Sequence, residues 1–220
     1  MPTAPLPALS LLETRVLGVL VEKQHTVPDS YPLTLNALVS GCNQKTSRHP
    51  VIEASEAEAQ AALDHLKSLS LVVESSGGRV MRYAHNAGRV LGLPGPSVAL
   101  LATLMLRGPQ TAGELRINSE RLHAFTDISA VEAFLEELAT RPAGALVAEL
   151  PRLAGTRETR WAHLLSGAPA EPAAAEAAAA PAQAASLGEI AALKANVDRL
   201  EAEVAELRET LARVVRELGL

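Results

Sequence analysis

Arg82-Tyr83-Ala84-His85 returns later in the chain as Arg160-Trp161-Ala162-His163. Each copy closes a stretch with the same order of parts: an apolar helix, a short second helix, a third helix and two strand-like runs. A tetrapeptide repeated at the same place in two matching architectures points to a duplicated module, which constrains the fold before anything else does. The 220 residues leave room for two modest domains and a tail. Only 2% are aromatic, so the interior must be built from Leu, Val and Ala.

In the first module, residues 9–90, Ser10-Leu11-Leu12-Glu13 reads as a capping box: the hydroxyl meets a backbone N–H three residues on and Glu13 reaches back. Leu12, Val16, Leu17, Val19 and Leu20 follow at helical spacing. Val27-Pro28-Asp29-Ser30 interrupts, and Pro32 is placed to open a second helix that ends at Gly41. After a polar loop, Ser55-Glu56-Ala57-Glu58 caps a third helix with Ala59, Ala62, Leu63 and Leu66 inward. Residues 71–74 and 80–83 alternate as strands around the Ser75-Ser76-Gly77-Gly78 turn. Three helices and a hairpin make the winged-helix order, a helix-turn-helix variant with the hairpin as wing.

The second module, residues 96–166, repeats the plan. Pro96-Ser97 precedes an almost wholly apolar helix, Thr111 to Ile117 forms a short one, and Asp127 caps a third with Ile128, Val131, Leu135 and Leu138 inward. Residues 146–150 and 159–163 are its wing strands. Each module has the length for one small core of its own.

Residues 168–185 are nearly all Ala, Pro and Glu, the composition of a disordered linker with nothing large to bury. Beyond it, Ile190, Val197, Val204, Leu211 and Leu218 take heptad position a, and Leu193, Leu200, Leu207 and Val214 take d. Mostly β-branched a with mostly Leu d predicts a parallel two-stranded coiled coil over 187–218, hence a homodimer. The flanks agree, with Glu189 opposite Lys194 of the second strand and Glu203 opposite Arg208. The expected fold is thus α+β, mainly α with small β-hairpin wings: two tandem winged-helix domains, a linker and a coiled-coil helix.

Several motifs resemble one family as a set. Glu22-Lys23-Gln24, Tyr31-Pro32-Leu33, Cys42-Asn43-Gln44-Lys45-Thr46, Arg48-x-Pro50-Val51, Gly113-Glu114-Leu115-Arg116 and the Arg160-Trp161-Ala162-His163 region are similar to the YceH-like family of bacterial proteins. The resemblance covers essentially the whole chain and implies two winged-helix domains, with no established activity. His49 departs from it by standing where that family usually has an acidic residue.

No catalytic constellation is evident. Ser47 and His49 are loop neighbours without a third partner, and the phosphate-loop and dinucleotide-fold glycine motifs are absent. One cysteine and scattered histidines are poor evidence for zinc, so Cys42 is expected as a small buried residue and no cofactor or metal is expected. A lone cysteine forms no intrachain disulfide, the N-terminus lacks a secretory pattern and no long apolar run occurs, so a cytoplasmic, membrane-free protein is expected. His85 and His163 are expected at the wing bases, with Tyr83 and Trp161 anchoring wing to core.

Two function classes follow. A DNA-binding regulator would place Lys45, Arg48, Arg79, Arg82, Arg116, Arg121, Arg157 and Arg160 on phosphates or in a groove. Yet the net charge of −5 gives no basic excess, and both third helices lead with carboxylates: Glu53, Glu56, Glu58 and Asp64 in one, Asp127, Glu132, Glu136 and Glu137 in the other. That acidity favours the second class, a non-catalytic homodimeric scaffold that holds a protein partner.

Overall fold

The computed structural model describes residues 6–76, 80–152 and 158–167. Arg79, Arg157, residues 168–185 and every heptad residue from Ile190 to Leu218 lie outside the described residues.

Ser10 and Glu13 form the expected capping box and start α1, Leu11–Thr26. A 3-10 turn, Pro28–Ser30, leads to β1, Leu33–Thr34, and then α2, Leu35–Cys42. This corrects the role assigned to Pro32. Thr34, not the proline, caps α2, because residues 33–34 are committed to pairing with a later strand. Gly41 lies inside α2 rather than ending it. The capping box of Ser55 and Glu58 opens α3, Glu56–Ser68. Strands β2, Val72–Ser76, and β3, Met81–His85, complete an antiparallel sheet of order β1-β3-β2.

The short α4, Ala87–Leu91, connects to α5, Gly95–Arg107, which starts three residues earlier than the expected Val98, with Pro94 at its N-cap. Then follow α6, Ala112–Asn118, and α7, Ile128–Ala139, the latter capped by Asp127 as expected. Antiparallel strands β4, Val147–Leu150, and β5, Arg160–His163, close the unit. Among the described residues this is a mixed α+β fold of seven α-helices and small antiparallel sheets, consistent with the winged-helix order.

The likeness between the two stretches extends beyond the tetrapeptide. Tyr83 pairs with Leu33, and Trp161 bridges Gln110. The residue after each partner, Thr34 or Thr111, caps the second helix of its module. Val72 faces His85 as Val147 faces His163. Both modules therefore share one wiring: a strand residue, a threonine cap, and a wing strand folded back onto them.

They do not have separate cores. The buried apolar residues form one cluster running from Leu17 and Leu20 through Leu63 and Leu66 to Leu100, Leu104, Leu115 and Leu135. The reason is α1 against α5. Residues 14–21 of α1, Arg15 among them, and 97–106 of α5 are all buried, so both helices are covered all round. Gly18 allows the close approach: a Cβ there would stand 3.0 Å from Leu106 Cγ and Cδ2. Gly108 ends α5 with φ +77°, in the region where a side chain is disfavoured.

Candidate interaction surfaces

The loop between α2 and α3 carries the densest motif, and the structure gives it a structural role. Asn43 braces its two ends, donating to the Ala54 carbonyl at 2.9 Å and accepting from the Ala54 N–H at 2.8 Å. From inside α1, the wholly buried Arg15 donates to the Cys42 and Pro50 carbonyls. Arg48, 6% exposed, lies beneath the loop. Its guanidinium donates to Gly41 O, Ser47 O, both Glu22 carboxylate oxygens and Gln44 Oε1, at 2.6–3.1 Å. A guanidinium has five N–H donors. All five are engaged, which removes Arg48 from the candidate phosphate contacts: an arginine that closes α2 and neutralises Glu22 has nothing left to offer a ligand.

Burial alone would raise the Glu22 carboxyl, but the bonds and charge of Arg48, aided by Lys23, hold it below its ordinary value. Cys42 is buried, and burial pushes its thiol up to about 12 against the pull of Arg15 and Arg48. It therefore stays a neutral thiol, as its expected packing role requires. The loop is pinned to α5 by His49 N–H donating to Leu106 O at 2.8 Å and by Arg107 donating to Ser47 Oγ at 2.8 Å. The His49 ring stands where a Cβ on Gly108 would meet it, at 3.0 Å.

The remaining sequence candidates divide by exposure. Arg82 is half-buried and donates to Pro32 O at 2.7 Å and to Ser30 O at 3.4 Å, tying β3 to the segment that leads into β1. Arg116 is half-buried, reaches Thr126 O at 3.4 Å, and leaves a buried Nε without a partner. Lys45 and Arg121 are exposed, and Arg160 half-exposed, without hydrogen bonds or ion pairs among the described residues.

At the wing bases Tyr83 is buried and donates to Gln60 on α3, so it anchors the wing as expected. His85 and His163 occupy equivalent positions, and burial lowers both to about 4, with the charge of His25 adding to the effect at His85. Both are neutral at pH 7. Trp161 is half-buried and faces a groove.

That groove, about 380 Å³, lies between the start of α6, the outer face of α7 and the second wing. Trp161, Ile128, Ala112 and Gly113 form apolar wall; among the described residues Glu132, Glu136, Glu149 and Glu158 bring carboxylates and Arg152 brings the one cation. The sequence showed the acidity of α7 but not its convergence with Glu149 and Glu158, which follows from the wing folding over the helix. It likewise showed Arg107 and Lys23 without placing them beside the Ser47 loop. No group of three or more His, Cys, Asp or Glu among the described residues could hold a metal ion, and no described helix is long and apolar enough to cross a membrane.

A family model described as a protein of unknown function, DUF480, matches residues 9–156. A UPF0502 protein of Dechloromonas aromatica is 63% identical over 211 residues, covering 96% of this chain and 98% of that protein. One from Methylibium petroleiphilum is 61% identical over 217 residues, covering 99% and 93%, and one from Burkholderia orbicola is 56% identical over 225, covering 100% and 94%. The residues that carried the resemblance, Glu22, Asn43, Gln44, Arg48 and Pro50 among them, are those that build and pin the α2–α3 loop. The chain belongs to the DUF480 family, whose members in these bacteria are the UPF0502 proteins, in keeping with the YceH-like resemblance of its motifs.

Proposed function

We propose that the chain is a non-catalytic tandem winged-helix scaffold, with winged-helix domains at 9–90 and 96–166, that docks a cationic segment of a protein partner. In this reading the heptads at 187–218, behind the 168–185 linker, pair two copies into a homodimer. The observation that carries it is the groove between α7 and the second wing. In a DNA-binding winged helix this is the face turned to the duplex. Here the described residues that line it include four glutamates and one arginine. Phosphates would be repelled, whereas a Lys- or Arg-bearing peptide gains charge complementarity at the rim and apolar contact with Trp161 and Ile128. Loss of Arg48 from the exposed cations weakens the competing DNA reading further.

The test sets a labelled peptide alternating Arg with Leu against a labelled mixed-sequence duplex, both by fluorescence anisotropy at low salt. The peptide is expected to bind, and Glu132→Lys with Glu136→Lys to weaken it about tenfold, or ~1.4 kcal/mol. Duplex binding is expected to be no tighter than about millimolar. Tighter, salt-dependent duplex binding without peptide binding would replace the scaffold with a regulator using Lys45, Arg121 and Arg160.

A further inference from the structure

Where α1 meets the α2–α3 loop and the end of α5, one hydrogen-bonded network joins residues from all three. Glu22 accepts from Arg48 and pairs with Lys23 at 3.3 Å. Gln44 Oε1 accepts from both Arg48 and Lys23. Ser47 offers its carbonyl to Arg48 and its hydroxyl oxygen to Arg107. Arg15 lies behind Arg48, close enough that burial and then the charge of Arg48 hold its guanidinium below its ordinary value.

The charges in this network do not balance. Among the described residues, Lys23, Arg48, Arg107 and Arg15 share a single carboxylate, and neither Arg15 nor Arg107 has an ion pair. Helix C-termini supply part of the compensation. Arg48 and Arg15 bond the Gly41 and Cys42 carbonyls that end α2, and Lys23 and Arg107 stand in the last turns of α1 and α5. Each such terminus is worth roughly half a negative charge. With all three counted, about one and a half positive charges remain.

The surplus lies toward solvent. Arg107 spends one donor on Ser47, and its other N–H groups bond nothing among the described residues. The Ser47 hydroxyl accepts from Arg107 and keeps its own proton to donate. Lys45 is exposed one residue beyond Gln44. Ser47 is held at φ +59°, left-handed backbone that disfavours a non-glycine residue. In that conformation its carbonyl and its hydroxyl meet two different arginines.

We propose that this junction is a phosphoryl-binding site, with Arg107 and the Ser47 hydroxyl as its base and Lys23 and Lys45 as its rim. A guanidinium fork with a neighbouring hydroxyl and ammonium groups suits an anion that has three or four acceptor oxygens, more than it suits a planar carboxylate. The buried Arg48 and Arg15 contribute field rather than contact. The phosphoryl group belongs either to a small phosphorylated ligand or to a nucleic-acid backbone.

The experiment titrates the full chain with inorganic phosphate at pH 7.5, with acetate at matched ionic strength as the control, by calorimetry and thermal unfolding. Saturable binding of phosphate over acetate is expected, with a rise in unfolding midpoint that acetate does not give. Arg107→Gln is expected to weaken binding about tenfold, and so is Ser47→Ala, an exposed change that keeps the fold testable should Arg107→Gln lower stability. Equal behaviour in phosphate and acetate, or undiminished binding by both variants, overturns the site. A mixed-sequence duplex then identifies the source. Displacement of phosphate by duplex, lost in Arg107→Gln, assigns a backbone phosphate and keeps this site while removing the scaffold reading. Phosphate binding untouched by duplex assigns a free phosphorylated ligand and keeps both.

Discussion

Arg48→Ala separates a structural arginine from a ligand contact. In the folded chain its guanidinium is fully buried, and it satisfies a Glu22 side chain only 16% exposed. Removing one partner of a buried pair costs about 3–5 kcal/mol, because the other charge stays behind. Lys23 remains 3.3 Å from Glu22 and softens the loss, so ~3 kcal/mol is expected at pH 7. With a urea slope of ~2 kcal/mol per M, the midpoint falls by about 1.5 M. The pH dependence carries a second signature. In the native chain Arg48 holds the Glu22 pKa below its unfolded value, so its contribution is present above about pH 4.3 and fades as pH falls through the lower folded value. Without Arg48, burial dominates and raises the folded pKa above the unfolded one. Protonation then relieves the variant, and its deficit shrinks between pH 7 and about 4.3. Urea unfolding at pH 7 and pH 4.5, followed by circular dichroism, measures both, with the exposed Arg121→Ala as a control expected within about 0.5 kcal/mol of wild type. A loss at pH 7 below ~1 kcal/mol, or one that does not change with pH, refutes the buried-pair account and returns Arg48 to the surface contacts.

The shared core predicts that Gly18→Leu, which drives a side chain into Leu106 and Met105, destabilises both modules together by about 1–3 kcal/mol. Tryptophan fluorescence, which reports on Trp161 in the second module, should follow the same urea transition as circular dichroism; a Trp161 transition unmoved by Gly18→Leu would show separable cores. His85 and His163 are held near 4 in the folded chain against an unfolded value near 6.5. The unfolded state therefore binds more protons in that window, and stability falls as pH drops from about 6.5 to 4, then levels off for these groups. Replacing both with Gln should flatten the urea midpoint between pH 7 and 5; an unchanged slope would place the titration elsewhere. Leu200→Glu with Leu207→Glu is expected to give monomers in sedimentation, and an unchanged mass would remove residues 187–218 from dimerisation.

Much of the local structure was legible because its determinants are local. Ser10 with Glu13, Ser55 with Glu58 and Asp127 each announce a helix start in three or four residues, and each caps as read. The capping box of Thr111 and Glu114 was equally local and went unread, although the short helix behind it did not. Pro32 misled because a proline favours a helix start in general, while Leu33–Thr34 were taken by pairing to Arg82 and Tyr83, about fifty residues away. Among the candidate cations, residue type and loop position grouped Arg48 with Lys45, but burial separated them: one faces Glu22 and the other solvent.

Local chemistry in the sequence sufficed for the repeated tetrapeptide, for the helix starts at Ser10, Ser55 and Asp127, and for the family. Periodicity, caps and turn residues act over a few positions, and a repeat is visible without knowing what it touches. Tertiary structure alone decided that the two modules share one core, that Arg15 and Arg48 are interior, that four glutamates converge beside Trp161, and that Arg107 meets Ser47. Each of these depends on which faces of α1, α5 and α7 are covered by segments distant in sequence. An apolar stripe says that a helix must be buried; only the packed fold says against what.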